Sequence, residues 1–411
     1  MAKNEFFTTK TVGDVLQLVF NAIHPIERVR ACSTYQALDE VIATPPIAPL
    51  DLPEFRRSSM DGYAVRAADT FGASASLPAY LNLIQGVRMG HAPTQAVEAT
   101  QAAPIHTGGM IPAGADAVVM MEKTQQVDAT QIEVLSPVAQ GENVIQVGED
   151  ITRGQAVLPT GHRIRPQDIG GLLSLGIESV QVRDRPKLAL MGSGDEIIHP
   201  SHTPHEGQIR DINTYALSAL FQQHGAQTVA LGIAKDDADA LFEMAQAGIA
   251  HADMLVITAG SSISTRDHTY STIQKLGMPG VLQHGLAVKP GKPTLIGVCQ
   301  GKPVIGLPGN PVSAMLVARQ LILPVIRFLR GEPPTVPVTL HAHLTQNVAS
   351  STGREDTVPV VVTATPTGYV AEPVFGKSNL IFTLVRANGV IHIPLDSNGL
   401  KAGTLVEVYP F

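Results

Sequence analysis

Strand-like and helix-like segments alternate between residues 186 and 331. Continuous apolar runs predict strands over 187–191, 227–233, 254–258, 293–298 and 303–307. Helical spacing predicts helices over 214–224, 237–249, 269–276 and 311–329, the first with Asn213 as its N-cap. This alternation predicts a doubly wound parallel sheet. Ligands bind such sheets beyond the carboxyl ends of the strands, where the polar loops 194–196, 235–237, 260–262 and 308–310 fall.

The segments on either side of this unit differ from it in hydrophobic spacing and in composition. Apolar residues recur at helical spacing near 12–23 and 166–175, and a Gly-, Ala- and Pro-rich stretch between them carries short strand-like runs such as 117–120. The prediction is therefore an α/β multidomain protein with α+β and small β domains beside the doubly wound one. We expect a first, linker or dimerisation domain from 1–53 with 139–185, an inserted β-rich domain at 54–138, the doubly wound domain at 186–331, and a C-terminal β domain at 332–411.

Composition narrows the possible partners. The net charge is -7, Trp is absent and there is no run of Lys or Arg, so we expect neither a nucleic-acid nor a membrane partner. Two cysteines, Cys32 and Cys299, are too few for a disulfide framework and fit a reducing compartment. The first residues lack a signal-peptide pattern, and no apolar run is expected to be long enough to span a membrane. The expected location is the cytoplasm.

Several common catalytic signatures are excluded. The segment 285–292 has the wrong spacing for a phosphate-binding Walker loop, and Lys292 is followed by proline instead of Ser or Thr. The Gly192-x-Gly194 pair lacks the third glycine of a dinucleotide fingerprint, and none of the 14 histidines forms a zinc-type cluster. Any chemistry must therefore come from other motifs.

An ordered set of polar, glycine-rich motifs runs along the whole chain. Taken alone, Asp61-Gly62 in the segment PEFRRSSMDGYAV is an ordinary turn. It is followed, however, by motifs at 107–119 (TGGMIPAGADAVV), 148–151, 194–196, 207–211, 236–237, 289–293 (KPGKP) and 306–313 (GLPGNPVS). This set resembles the molybdopterin molybdenumtransferase family, which includes MoeA-type proteins and the gephyrin E domain.

The resemblance implies a fold and a reaction. It implies four domains, a homodimer, and a molybdopterin-binding domain at 186–331. The substrates would be molybdate and adenylyl-molybdopterin, and the products molybdenum cofactor and AMP, with Mg²⁺ required. Possible protein partners are a molybdopterin adenylyltransferase and the molybdoenzymes that receive the cofactor. The resemblance also implies an active site built between region 54–138 of one subunit and region 186–331 of its partner.

The resemblance also assigns site residues. Splitting a phosphoanhydride requires neutralised phosphate oxygens, and carboxylates suit Mg²⁺ while lysines suit oxyanions. The implied catalytic residues are Asp61, Asp150, Glu196, Asp236, Asp267, Lys289 and Lys292, of which Glu196, Asp236 and Asp267 would bind the metal. The implied molybdopterin-binding residues are Thr107, Ser193, Gly194, Asp195, Gly260, Ser261, Ser262, Pro308, Gly309 and Asn310.

Three departures from the family pattern keep alternatives open. Ser193 replaces the usual Thr and preserves the hydroxyl, Ala259 and Ser264 replace glycines, and Gly285 replaces a lysine, so one anion contact is missing or replaced. The main alternative is a non-catalytic, pterin-binding or scaffold paralogue of the same fold. A molybdopterin adenylyltransferase is a third reading, and it is disfavoured because that activity belongs to shorter relatives of region 186–331 alone.

Overall fold

The structure is a computed structural model that describes the backbone of residues 8–259 and 263–411 and the side chains of 8–258 and 268–411. Residues up to 53 contain α1 (Val12–Phe20) and β1 (Val29–Ser33). Residues 54–138 contain β2 (Arg57–Ser58), β3 (Gly62–Val65), β4 (Ala79–Leu83), β5 (Gln101–Ile105), β6 (Ala117–Met120), β7 (Thr124–Gln126) and β8 (Gln131–Val134). Residues 139–185 contain β9 (Val144–Ile145), α2 (Pro166–Ser174) and β10 (Ser179–Arg183).

The elements of the second half follow in chain order. Region 186–331 contains β11 (Lys187–Ser193), β12 (Ile197–Ile198), β13 (Ile209–Arg210), α3 (Asn213–Gln223), β14 (Gln227–Ala234), α4 (Ala238–His251), β15 (Met254–Ala259), α5 (Ile263–Lys275), β16 (Pro279–His284), β17 (Val288–Lys289), β18 (Leu295–Cys299), β19 (Lys302–Pro308), α6 (Pro311–Val317) and α7 (Leu323–Leu329). Region 332–411 contains β20 (Leu340–Leu344), β21 (Val348–Ala349), β22 (Glu355–Thr365), β23 (Gly368–Pro373), α8 (Phe382–Arg386), β24 (Gly389–Ile393), β25 (Gly399–Leu400) and β26 (Leu405–Pro410). Short 3-10 helices lie at Thr34–Gln36, Ala67–Thr70 and Met121–Lys123, and a π-helical segment, Ala318–Ile322, joins α6 to α7.

Region 186–331 forms a six-stranded sheet in the order β14-β11-β15-β19-β18-β16. The first four strands are parallel, as predicted, but β18 is antiparallel to both of its neighbours. The expectation of a wholly parallel sheet was wrong at this edge because only residues 300 and 301 separate β18 from β19. So short a connection joins antiparallel strands, whereas a parallel pair needs a crossover of a dozen or more residues.

Helices cover both faces of this sheet, which confirms the doubly wound arrangement. The core on one face includes residues of α3 and of the helices α6 and α7, and the core on the other includes residues of α4 and α5. The N-terminal helix α1 also joins the first core through Val15 and Val19, and its Phe20 ring stacks on Phe328 at 4.6 Å between centroids. The helix α1 therefore packs against α7, a contact that the local sequence pattern did not predict.

Three local predictions need correction. Asn213 is not the N-cap of α3 but its first residue, because the Oδ1 atom of Asp211 accepts the hydrogen bond of the Thr214 N–H (3.1 Å) instead. The helix predicted near 269–276 begins six residues earlier, at Ile263. The strand β16 was not predicted at all, because Pro279-Gly280 at its start resembles a turn.

The run Pro311–Leu329 is, by length and composition, apolar enough to cross a membrane, contrary to our expectation for the chain. Its mean hydropathy is 1.7, and 67% of the window lies buried inside the protein. Leu321, Ile322, Val325 and Ile326 are fully buried in the core beneath the sheet. These buried positions are typical of a central helix in a protein core.

The other regions pair segments that are distant in sequence. The strand β1 is antiparallel to β10 over 29–33 and 179–183, so the chain returns to its first region after residue 139. Between them, region 54–138 forms a six-stranded sheet in the order β6-β3-β5-β4-β8-β7. In region 332–411, β22 pairs with both β23 and β24, which closes a small barrel with β20 and β26.

The start of α2 depends on one buried carboxylate, Asp168, whose side chain is 6% exposed. It accepts hydrogen bonds from the Arg165 backbone N–H (2.8 Å) and guanidinium (2.9 Å), and the His162 Nε2 atom lies 2.6 Å away. The Arg165 side chain, followed by His162, holds the pKa of Asp168 well below its usual range despite burial.

Asp168→Asn should therefore lower the free energy of unfolding at neutral pH by about 1–3 kcal/mol, and the thermal unfolding midpoint should fall with it. Because the folded pKa lies below the unfolded value of about 4, the stabilisation is present above that pH. It is lost as pH falls through the folded pKa, so wild type and variant should converge only in strong acid. Asp396→Asn, at an exposed position, is the control; equal effects of the two substitutions would contradict the assignment.

Candidate functional site

Four parallel strands end in register at one edge of the large sheet. Ser193 at the end of β11 lies opposite Ala234 of β14 and Ala259 of β15, and Ala259 lies opposite Pro308 of β19. The four strands therefore end along a single line, from which the loops after β11, β14 and β19 leave the sheet. This edge, beyond the carboxyl ends of the strands, is where doubly wound sheets bind ligands.

Acidic side chains stand at the rim of this edge. The Asp195 Oδ1 atom accepts a hydrogen bond from the Asp236 N–H (3.1 Å), which joins the loops after β11 and β14. The exposed Glu196 folds back over Gly194, where an added Cβ would lie 2.7 Å from the Glu196 Oε2 atom. The exposed Glu196 side chain could move aside at little cost, but Gly194 also has φ +148°, a conformation that residues with side chains rarely adopt, and this favours glycine there. We call Asp195, Glu196 and Asp236 the acidic rim.

Beneath the rim lie polar atoms that are buried without hydrogen-bond partners among the described residues. They are Ser193 Oγ, Asn213 Oδ1 and Thr214 Oγ1. The Asn213 amide nitrogen donates to the Gly309 carbonyl oxygen (2.8 Å), so this side chain lies against the loop after β19. Burying a polar atom without a partner costs about 1–3 kcal/mol. A buried water or a polar group of a ligand can supply the missing hydrogen bonds.

Lys289 lies where the sheet domain meets the C-terminal barrel. The short strand β17 pairs with the start of β22, and the Lys289 Nζ atom lies 3.1 Å from the Asp356 Oδ2 atom. The Asp356 carboxylate is 4% exposed and also lies 3.3 Å from the Arg354 Nε atom, whereas Lys289 is 51% exposed. The ammonium group is thus held at its base by a buried carboxylate and remains open to solvent on its other side.

A cavity of about 440 Å³ opens beside Lys289. Its polar lining comes from Lys289, Asp356, Thr357, Lys377, Ser378 and Thr383. Two ammonium groups around one buried carboxylate leave a net positive lining, which suits an oxyanion. We call this space the Lys289 cavity.

The loop after β19 connects the sheet edge to the Lys289 cavity. The Asn310 side-chain nitrogen donates to the Ser378 Oγ atom (3.0 Å), and the Val312 N–H donates to the Ser378 carbonyl oxygen (3.1 Å). Asn310 is also the N-cap of α6. Pro308, Gly309 and Asn310 therefore form one wall that runs from the buried polar atoms to the cavity. Lys292 is exposed in the turn after Lys289, and its carbonyl oxygen accepts from the Leu286 N–H (2.9 Å).

Asp61 and Thr107 meet in a different part of the molecule, on the sheet of region 54–138. The Asp61 Oδ1 atom accepts hydrogen bonds from the Thr107 N–H (2.7 Å) and hydroxyl (3.1 Å), and the His106 Nδ1 atom lies 3.6 Å away. The Thr107 backbone N–H, more than the other contacts, lowers the pKa of Asp61 from its usual value. This exposed carboxylate therefore stays ionised down to an unusually low pH.

Asp150 is exposed in the turn that leads back into the first region. Its backbone N–H donates to the Leu52 carbonyl oxygen (2.9 Å), and the preceding β9 pairs with β2, a few residues before Asp61. The structure thus divides the candidate residues between the edge of the large sheet and the segments around Asp61.

The replacement of a lysine by Gly285 has a backbone reason. Gly285 has φ +97°, a conformation that side chains rarely adopt, and its N–H donates to the Thr294 carbonyl oxygen (2.8 Å). A lysine here would be strained unless the loop changed its path.

Some candidate residues lie outside the described part of the chain. These are Gly260, Ser261 and Ser262, together with the side chain of Asp267, whose backbone belongs to α5. Among the described residues, no group of three or more His, Cys, Asp or Glu side chains is arranged to hold a metal ion. Mg²⁺ is commonly bound by one or two carboxylates with water and substrate phosphates, so the donor set of the acidic rim fits it.

The sequence reasoning missed the contribution of the C-terminal barrel. It assigned no site residue to 332–411, yet Asp356, Lys377 and Ser378 line the Lys289 cavity. A signal was present in the charged triplet Arg354-Glu355-Asp356, which opens an otherwise apolar strand, and in the polar turn 376–379. Their role depends on the docking of two regions, which local patterns do not reveal.

Comparison with known proteins matches the whole architecture. Three family models cover the chain: "MoeA N-terminal region (domain I and II)" over residues 10–176, "Probable molybdopterin binding domain" over 189–327, and "MoeA C-terminal region (domain IV)" over 341–411. A provisionally named molybdopterin biosynthesis protein of Methanocaldococcus jannaschii is 35% identical over 93% of this chain and 92% of its own. A molybdopterin molybdenumtransferase of a Nostoc species is 32% identical over 81% and 79% of the two chains.

A solved structure agrees. The crystal structure of a molybdopterin biosynthesis MoeA protein from Pyrococcus horikoshii OT3 covers 98% of this chain and 100% of its own, with a TM-score of 0.86 and 29% identity. The loops at the sheet edge and the barrel that completes the Lys289 cavity thus belong to a shared architecture. On the strength of these matches along its full length, the chain belongs to the MoeA family of molybdopterin biosynthesis proteins.

Proposed function

We propose that this protein acts in molybdenum cofactor biosynthesis as a molybdopterin molybdenumtransferase. It inserts molybdate into adenylyl-molybdopterin and releases AMP. The observation that carries this proposal is the continuous wall from the buried polar atoms at the sheet edge, through Asn310, to the positively lined Lys289 cavity. One substrate is a polar pterin with phosphates and the other is an oxyanion, and this wall offers adjoining places for both.

Lys289 and Lys292 are the proposed anion-binding residues. Molybdate is a compact dianion, and the ammonium of Lys289 meets it as a point charge. Asp356 fixes the position of that ammonium from below, because it is buried and lies 3.1 Å from the Nζ atom. Ser193 and the loop 308–310 would bind the pterin, because their polar groups can form hydrogen bonds with the edge of the pterin ring.

Glu196, Asp236 and Asp267 are the proposed Mg²⁺ residues. Bound Mg²⁺ neutralises phosphate oxygens and so favours departure of AMP. The acidic rim supports this assignment because the hydrogen bond between Asp195 and the Asp236 N–H places two acidic loops side by side. Glu196 and Asp236 would hold the metal at the rim, and Lys289 would hold molybdate.

Asp61, Thr107 and Asp150 are proposed to act from a second subunit. The contacts of the Asp61 carboxylate come from His106 and Thr107 within its own region. Its lowered pKa keeps it ionised, so it is available to a site on another subunit. A homodimer would bring this exposed carboxylate to the sheet edge of the partner. The two free cysteines, both buried, suit the reducing cytoplasm, where an adenylyltransferase would supply the substrate and molybdoenzymes would receive the product.

The direct test is AMP release from adenylyl-molybdopterin in the presence of molybdate and Mg²⁺. We expect the wild-type protein to release AMP, and Asp236→Ala and Asp267→Ala to lose this activity at limiting Mg²⁺ while they keep the wild-type circular dichroism spectrum. Normal turnover in both variants would contradict the assignment of Asp236 and Asp267 as Mg²⁺ ligands. Pterin binding without AMP release by the wild-type protein would show a scaffold paralogue instead.

Lys289→Ala should raise the molybdate concentration needed for half-maximal AMP release by about 10- to 100-fold, because one charge-assisted contact of about 1.5–3 kcal/mol is lost. Lys289→Arg should restore little if the cavity fits a compact ammonium. Lys401→Ala removes an exposed charge from the barrel, outside the cavity, and is the control. An unchanged molybdate dependence in Lys289→Ala would show that this lysine only stabilises its loop and does not bind molybdate.

Subunit sharing predicts complementation between two inactive variants. Asp61→Ala and Asp267→Ala homodimers should each be inactive, whereas a heterodimer has one doubly damaged site and one intact site. Random pairing makes about half of the dimers mixed, so co-expression should restore roughly a quarter of wild-type AMP release. Inactive samples in which heterodimers are demonstrably present would place the whole site within one chain.

A further inference from the structure

A second cleft lies on the other side of the junction between the sheet domain and the barrel. It has a volume of about 500 Å³ and runs between the segment 316–327 and the C-terminal strand. Leu316 and Thr357 line both this cleft and the Lys289 cavity, so the two spaces are back to back. None of the functions proposed above uses it.

The charge of this cleft is positive. Arg319, Arg327, His224 and His392 line it, and its lining contains no Asp or Glu. The Glu355 Oε1 atom lies 3.2 Å from the His392 Nδ1 atom, so a carboxylate stands directly beside this imidazole. Burial, and then the charges of Arg319 and Arg327, lower the pKa of His224. The two arginines therefore set the electrostatic field of the cleft.

Neither arginine has a carboxylate partner among the described residues. The Arg319 Nη2 atom donates to the Pro410 carbonyl oxygen (2.8 Å), and its guanidinium lies 4.8 Å from the centroid of the Phe411 ring. The Arg327 Nη1 atom donates to the Thr335 hydroxyl (3.1 Å). Both side chains are half-buried, and burial lowers the pKa of Arg319. A partly desolvated guanidinium without an anion leaves its strongest type of hydrogen bond unmade.

We propose that this cleft is a second anion site, which binds a phosphorylated small molecule through Arg319 and Arg327. Guanidinium groups match phosphate oxygens in geometry and charge. The remaining lining, which includes Pro337, Val338, Tyr409 and Phe411, offers an apolar surface for a flat ring. The volume is within the range of pockets that hold nucleotide-sized ligands. The preferred class is thus a phosphate monoester that carries a ring, for which AMP is the probe.

The site is tested in the wild-type protein by arginine modification with phenylglyoxal, followed by peptide mass spectrometry. Inorganic phosphate and AMP should each slow modification of Arg319 and Arg327, and adenosine should not. At a concentration about ten times the dissociation constant, about one site in ten stays free, so modification should slow about tenfold. Arg386, which is exposed and lies outside the cleft, should react at an unchanged rate.

Two variants separate this site from the Lys289 cavity. Lys289→Ala should keep the protection of both arginines, whereas Arg319→Gln should lose the protection of Arg327, since one ligand bridges the pair. Unchanged modification of Arg319 and Arg327 with phosphate and with AMP would overturn the proposal. Loss of protection in Lys289→Ala would also overturn it, because the anion would then be bound in the Lys289 cavity.

Discussion

The register of four parallel strands is the constraint on which the rest of the structure depends. Ala234, Ser193, Ala259 and Pro308 stand side by side, so the four strands end at one edge. A slip of one residue in any pair would turn buried side chains such as Leu190 and Val256 toward the opposite face, where different helices pack. The cores on both faces therefore fix the register, and the register in turn fixes where the acidic rim and the buried polar atoms lie.

The second requirement is the docking of the barrel against the sheet domain. The pairing of β17 with β22, the Lys289–Asp356 ion pair and the Asn310–Ser378 hydrogen bond all cross this junction. The start of β22 lies between two cavities: Asp356 faces Lys289, whereas Glu355 and Thr357 accept hydrogen bonds from Gln320, and Thr357 lines both spaces. The alternation of side chains along a strand thus places a carboxylate at one cavity and a polar network behind the other.

Charge is organised locally rather than by the net value of -7. Carboxylates gather at the rim of the sheet edge, and cationic side chains gather on both sides of the barrel junction. This segregation suits the reaction proposed above, in which a divalent cation would neutralise phosphate oxygens and a lysine would hold molybdate. Fixed partners keep the charges in place: the buried Asp356 carboxylate lies against Lys289, and the backbone N–H of the exposed Thr107 donates to Asp61.

The sequence by itself determined the alternation of strands and helices in 186–331 and the polar loops that follow the strands, because side-chain periodicity and turn residues are local properties. It also singled out Asp61 and Thr107, which the structure joins by hydrogen bonds although 46 positions separate them. Only the tertiary structure decided that β18 runs antiparallel, that α1 packs against α7, and that Asp356 and Ser378 complete the Lys289 cavity. These features arise from contacts between segments far apart in the chain. Their energies depend on the packing of whole regions, which no local pattern of residues contains.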